Sequence, residues 1–177
     1  MILLVSVDEA TEFRSEEGWR RVSLIVNGRS YKVWTLPSKT LRDVLREEIG
    51  LTSPKDMCNG EGACGSCTVI VEGRPVLSCL TLAVDCDGKR IETAEGITAQ
   101  NHPIFESYVR HHTMQCGYCT PGFLVTSKAL LDRNPNPSEE QIREALGGNI
   151  CRCATYPEHI RAVKEASEML RGKDRGG

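Results

Sequence analysis

Val22, Leu24 and Val26 fall on alternate positions, Asn27-Gly28 follows, and Tyr31, Val33 and Thr35 resume the period of two. Alternation predicts half-buried strands, and Asn-Gly between two of them predicts a tight hairpin. The period then lengthens. Leu41, Val44, Leu45 and Ile49 fall on one face of a helix over residues 39–49, with Ser38 as its cap and Gly50 as its end. A glycine- and cysteine-rich loop occupies residues 58–67. Residues 68–71 read as a strand, Glu72-Gly73 as a turn, residues 75–80 as the returning strand and 89–93 as a last strand. A small mixed sheet crossed by one helix is an α+β arrangement.

Beyond about Gly96 the pattern is helical throughout. Residues 98–112 predict a helix whose real start Pro103 places nearby. Thr120 caps a second helix, with Pro121 at its first position and Arg133 at its end. Ser138 and Gln141 form a capping box for a third, which Gly147-Gly148 closes. Residues 156–170 form a fourth, with Ile160, Val163, Ala166, Met169 and Leu170 on one side. The chain therefore divides into a mixed-charge extension (1–19), a sheet domain (20–97), a helical domain (98–171) and a flexible tail (172–177).

Charge and composition narrow the function classes. Lys plus Arg is 22 against 24 Asp plus Glu, a net charge of −2, which argues against nucleic acid as a partner. No apolar run is long enough to predict a membrane span. Asp8 and Glu9 interrupt the apolar start. The twin arginines Arg20-Arg21 precede an alternating strand rather than the apolar segment of an export signal, so a cytoplasmic, reducing location is expected. There, nine cysteines point to metal or redox chemistry rather than disulfides.

Eight of the nine form two sets of four: Cys58, Cys64, Cys67 and Cys79, then Cys116, Cys119, Cys151 and Cys153. Four thiolates can hold an iron–sulfur cluster or structural zinc. In the first set the spacing is close to the plant-type ferredoxin pattern. Gly60, Gly62 and Gly65 let the backbone wrap closely around sulfur, which favours iron–sulfur over zinc. In the second set Cys116-x-x-Cys119 could be a redox dithiol or half a zinc site, and the set alone fits zinc and iron–sulfur about equally. Cys151-Arg152-Cys153 must sit in a loop, because alternate helical residues do not face one metal.

Together the two sets resemble the small iron–sulfur subunit of the xanthine oxidase family of molybdenum hydroxylases. The resemblance covers about residues 20–170. Its carriers are Cys58-Asn59-Gly60-Glu61-Gly62-Ala63-Cys64-Gly65-Ser66-Cys67, Ser78-Cys79-Leu80, Gln115-Cys116-Gly117-Tyr118-Cys119-Thr120-Pro121-Gly122 and Gly148-Asn149-Ile150-Cys151-Arg152-Cys153. It implies a β-grasp, plant-type ferredoxin-like domain with one [2Fe-2S] cluster on the first set, followed by an all-α four-helix domain with a second on the other. It also implies a large subunit carrying the molybdopterin cofactor, with Gln115 and Cys153 beside the pterin. Electrons would pass through the helical-domain cluster and the ferredoxin-like cluster to FAD, in a medium subunit, or to another acceptor. No catalytic residue is expected in this chain. A free-standing ferredoxin-like carrier and a zinc-stabilised interaction module are the alternatives.

The chain departs from the family pattern at three places. Five residues rather than four separate Cys58 from Cys64, Ala154-Thr155-Tyr156 stands where Thr-Gly-Tyr is common, and the amino-terminal extension is atypical. The ninth cysteine, Cys86, reads as a small buried hydrophobe in a strand. His111-His112 reads as a solvated helix end, and Arg152 as a cation offsetting thiolate charge.

Overall fold

The computed structural model describes residues 18–173. Most of the expected extension and the end of the expected tail lie outside the described residues. Five strands form one sheet in the order β2-β1-β5-β3-β4: β1 (Arg20–Val26), β2 (Arg29–Thr35), β3 (Thr68–Val71), β4 (Arg74–Leu77) and β5 (Arg90–Glu92). β1 pairs parallel with β5, and the remaining neighbours pair antiparallel. In the first hairpin Val22 lies opposite Val33 and Leu24 opposite Tyr31. Its turn places both Asn27 and Gly28 at positive φ, as a two-residue primed turn requires. Glu72-Gly73 repeats that turn between β3 and β4.

One helical segment covers the sheet: α1 (Leu41–Asp43), continued by a π-helical turn over Val44–Glu48. Leu41, Val44 and Leu45 are buried against Val22, Leu24, Val26, Val69 and Ile91. The cap is Thr40, not Ser38. Thr40 Oγ1 accepts from the Asp43 N–H at 3.2 Å, and the Asp43 carboxylate accepts from the Thr40 N–H. The segment ahead of Thr40 is taken by other pairings, Lys39 N–H to Leu36 O and Ala83 N–H to Lys39 O. The returning strand is also shorter than its apolar pattern. β4 ends at Leu77, and Ser78–Leu80 turn as a 3-10 helix because Ser78 donates to Cys67 O from both its N–H and its hydroxyl.

The helical half comprises α2 (Ala94–Ala99), α3 (Pro103–Arg110), α4 (Thr120–Arg133), α5 (Glu139–Leu146) and α6 (Tyr156–Lys173). The single helix expected over 98–112 is two. Asn101 takes φ 53°, and His102 Nδ1 caps α3 by accepting from the Ile104 N–H. Thr120 lies inside α4 rather than capping it; Cys119 holds the cap position without a side-chain bond. The Ser138–Gln141 capping box is present. α4 carries the centre of the core, with Phe123, Val125 and Ala129 buried among Ile104, Tyr108, Val163 and Ala166. Tyr108 is fully buried, and its hydroxyl is bonded to Ser127 Oγ at 2.8 Å.

The two halves share packing. Ile70 of β3 is part of the helical core, and Lys128 of α4 bridges Glu92 of β5 and Asp132 at 2.7 Å each. Cys86 lies in a 3-10 turn (Val84–Cys86), 1% exposed within the sheet core, where burial pushes its thiol pKa up. A small buried hydrophobe is the environment the sequence suggested, although not in a strand.

Candidate iron–sulfur sites

The loop before β3 carries Cys58, Cys64 and Cys67, and the 3-10 turn after β4 carries Cys79. Asn59, Gly60, Gly62 and Gly65 all have positive φ, so the chain curls and turns its N–H groups inward. The effect is legible at Cys58. Burial raises its thiol pKa, but the N–H groups of Ala63, Cys64 and Gly62 and the Cys64 side chain outweigh burial and bring it down to about 7. Cys79 lies against Cys67. Burial first, then Cys67 and the charge of Cys58, push its thiol up to about 12. Cys64 thus acts on Cys58, and both Cys67 and Cys58 on Cys79.

The second four arrive from two directions. Cys116 and Cys119 precede and cap α4, while Cys151 and Cys153 lie in the loop between α5 and α6. They pair. Cys116 Sγ and Cys153 Sγ are 3.6 Å apart at the surface, and Cys119 meets Cys151 in the interior. Burial, then Cys151, pushes the Cys119 thiol up to about 12. Gln115 is exposed beside the outer pair, its Nε2 donating to Cys153 O at 3.4 Å. The structure therefore brings Gln115 and Cys153 together, as well as both sets of four.

Two thiolates for each of two irons is the requirement of a [2Fe-2S] cluster. The paired sulfurs of the second set fit it. Inward N–H groups at Cys58, and Cys79 and Cys119 thiols raised by burial and by a neighbouring cysteine, make a donor set suited to a group that draws thiolates together.

Three residues matter here that spacing alone did not single out. Gly65 O accepts from Asn149 Nδ2 at 3.1 Å, and the Ile150 N–H donates to Cys64 O at 2.9 Å. A Cβ on Gly122 would come within 2.3 Å of Gly65 O, so only glycine permits α4 to touch that loop. The loops bearing Cys64 and Cys151 are consequently in direct backbone contact. His159 is a fourth. It is wholly buried in α6, stacked on Phe123 at 4.0 Å, and burial, slightly opposed by Glu158, lowers its pKa to about 4. Its Nε2 lies 3.2 Å from Thr155 Oγ1, which in turn lies 3.2 Å from Cys151 Sγ.

Apolar side chains are exposed around both sets. Met57 and Leu80 flank the first, and Met114, Tyr118 and Ile150 the second. An apolar groove of about 310 Å³ beside Cys116–Cys119 is lined by Phe105, Tyr108, Met114, Pro121 and Leu124.

A β-grasp sheet joined to a helical domain, each holding a set of four cysteines, defines a class of iron–sulfur protein. Comparison with known proteins places it more narrowly. Residues 93–164 match the [2Fe-2S] binding domain family. The chain is 45% identical over 149 residues to the nicotinate dehydrogenase small FeS subunit of Eubacterium barkeri, covering 83% of this chain and 94% of that one. It is 42% identical over 154 residues to the nicotine 6-hydroxylase small subunit of Paenarthrobacter nicotinovorans, covering 86% and 93%. The crystal structure of quinoline 2-oxidoreductase from Pseudomonas putida 86 superposes with a TM-score of 0.82 at 41% identity, over 90% of this chain and 98% of that one. The chain belongs to the small iron–sulfur subunits of the xanthine oxidase family of molybdenum hydroxylases, and its relatives are subunits of oxidoreductases with a role in electron transfer. Among the described residues no helix is long and apolar enough to cross a membrane.

Proposed function

We propose that this chain holds two [2Fe-2S] clusters in series, one on Cys58, Cys64, Cys67 and Cys79 and one on Cys116, Cys119, Cys151 and Cys153. In this reading it relays electrons from a molybdopterin-binding large subunit to FAD in a medium subunit or to another acceptor. Such clusters supply one-electron transfer, which lets a two-electron centre discharge in single steps. The observation that carries the reading is the backbone contact between the two cysteine loops, Ile150 N–H to Cys64 O, which puts the two sets next to each other. Gln115 and Cys153 at the exposed outer pair are the residues that would meet the pterin. The apolar groove beside Cys116 favours a docked subunit over a freely diffusing carrier. Met57 and Leu80 mark the side of Cys58 for the acceptor. The proposed location is the cytoplasm, where nine thiols stay reduced.

Elemental analysis of the natively purified complex tests the assignment. The expected result is about four irons per chain, with molybdenum in the copurifying large subunit. Zinc in place of iron overturns it. Cys153→Ser is expected to abolish one of two EPR signals and to block turnover, while the signal of the Cys58 cluster persists. Two unchanged signals would show the ligand assignment to be wrong.

A further inference from the structure

The segment between Cys153 and α6 carries a buried hydroxyl beside a cysteine of the second set. Thr155, one residue ahead of α6, supplies it. That hydroxyl is 3.2 Å from Cys151 Sγ and is buried, at 4% exposure. Four residues on, one turn along α6, His159 reaches back so that its Nε2 lies 3.2 Å from the same hydroxyl. The imidazole has little freedom to leave. It is stacked on Phe123 with the rings 2° from parallel, and Tyr108 meets its edge at 5.2 Å. Its Nδ1 is buried and meets no hydrogen-bonding group among the described residues.

The direction of each bond follows from counting protons. A cysteine sulfur bound to iron carries no proton, so Cys151 Sγ can only accept. Thr155 has one hydroxyl proton, and it points at sulfur. Its oxygen is then left to accept, and the partner is the Nε2–H of His159. This fixes the neutral imidazole as the Nε2–H tautomer and leaves Nδ1 as a bare lone pair, in agreement with its lack of a partner. Each donor in the chain polarises the next. A leucine at 159 would fill the same volume without stranding a ring nitrogen, so packing alone does not account for histidine here.

We propose that His159 and Thr155 form a hydrogen-bond relay onto Cys151 that raises the reduction potential of the helical-domain cluster above the value the Cys116, Cys119, Cys151 and Cys153 set would otherwise give. Reduction adds one negative charge, part of which resides on the cysteine sulfurs. A donor aimed at one of them stabilises the reduced form over the oxidised form. Both residues are positioning residues, acting through Cys151, and the inference rests on the proposed ligand assignment.

The test is an EPR-monitored redox titration of the natively purified complex, with the helical-domain signal identified as the one that Cys153→Ser removes. Thr155→Val keeps the shape and deletes the hydroxyl. The expected outcome is a fall in that cluster's potential, reaching about tenfold in the oxidised-to-reduced ratio at a fixed potential, or about 59 mV for one electron. The other signal stays unshifted, and Thr155→Ser titrates like the wild type. His159→Leu shifts the same cluster in the same direction by less, since Thr155 still donates but has lost the N–H behind it. An unshifted or raised potential in Thr155→Val overturns the relay. Should Thr155→Val fail to retain the cluster, His159→Leu decides the matter, and an unshifted or raised potential there overturns the relay. A wild-type complex with one EPR signal, or with iron well short of four per chain, instead refutes the two-cluster reading.

Discussion

Glu95 shows how much a single carboxylate organises. It accepts from the Ser53 N–H at 2.8 Å and from the hydroxyls of Ser53 and Thr93. Thr93 is in turn tied to Asn27 at the first hairpin through its N–H and its hydroxyl. One side chain at the start of α2 thus anchors the segment that leads into Cys58. Burial raises its carboxyl pKa, but the bonds from Ser53 and Thr93 outweigh it and hold the value below the ordinary carboxylate range. A lowered folded-state pKa gives stability that is present above the unfolded-state value and is lost as pH falls through the folded one. Glu95→Gln is therefore expected to cost about 2 kcal/mol at neutral pH, the scale of a charge-assisted hydrogen bond. The gap to wild type should close as the medium is acidified below the carboxylate range. Denaturation midpoints across pH check this, and a constant gap would contradict it. Nothing in the local sequence around Glu95 announces Ser53, which is 42 positions away.

At the scale of elements, periodicity found what local preference controls and missed what tertiary bonds control. Both primed hairpin turns were legible because Asn27-Gly28 and Glu72-Gly73 must supply positive φ whatever surrounds them. The Ser138–Gln141 box was legible for the same reason. The start of α1 was not, since Lys39 O is claimed by the Ala83 N–H from a distant turn and the cap moves on to Thr40. The end of β4 was not, because Ser78 is drawn to Cys67 O and swings Cys79 toward Cys67. α2 was hidden by Gly96, which has no helical propensity to offer. It is required there because a Cβ would come within 2.2 Å of Asn27 Oδ1. Thr40→Ala should remove the capping box and destabilise the sheet domain by about 1 kcal/mol, as a shift of the denaturation midpoint with an unchanged slope. Thr40→Ser should restore most of it.

For the whole molecule, the residue types and spacing of the eight cysteines already indicated two sites. What spacing could not convey was their mutual placement. That depends on Gly65, Gly122 and Asn149, residues from three separate segments that meet only in the fold. It also depends on Ile70 leaving the sheet core for the helical one. Gly122→Ala tests the junction. The new methyl would press on Gly65 O, which is backbone and cannot swing aside, so a loss of about 1–3 kcal/mol is expected. On the proposed two-cluster reading, rapid-reaction absorbance and EPR should show slower passage of electrons between the clusters, with each still present. Wild-type rates and stability in Gly122→Ala would mean that the loops do not abut.

The bare contact of α4 with the Gly65 peptide also bears on how the chain can change over time. Where side chains set a gap, any substitution that lengthens or shortens them alters it. Here the backbone of α4 lies directly against the Gly65 peptide, with no room for a Cβ between them. Such a junction would keep the two cysteine loops at one spacing whatever side chains surround it.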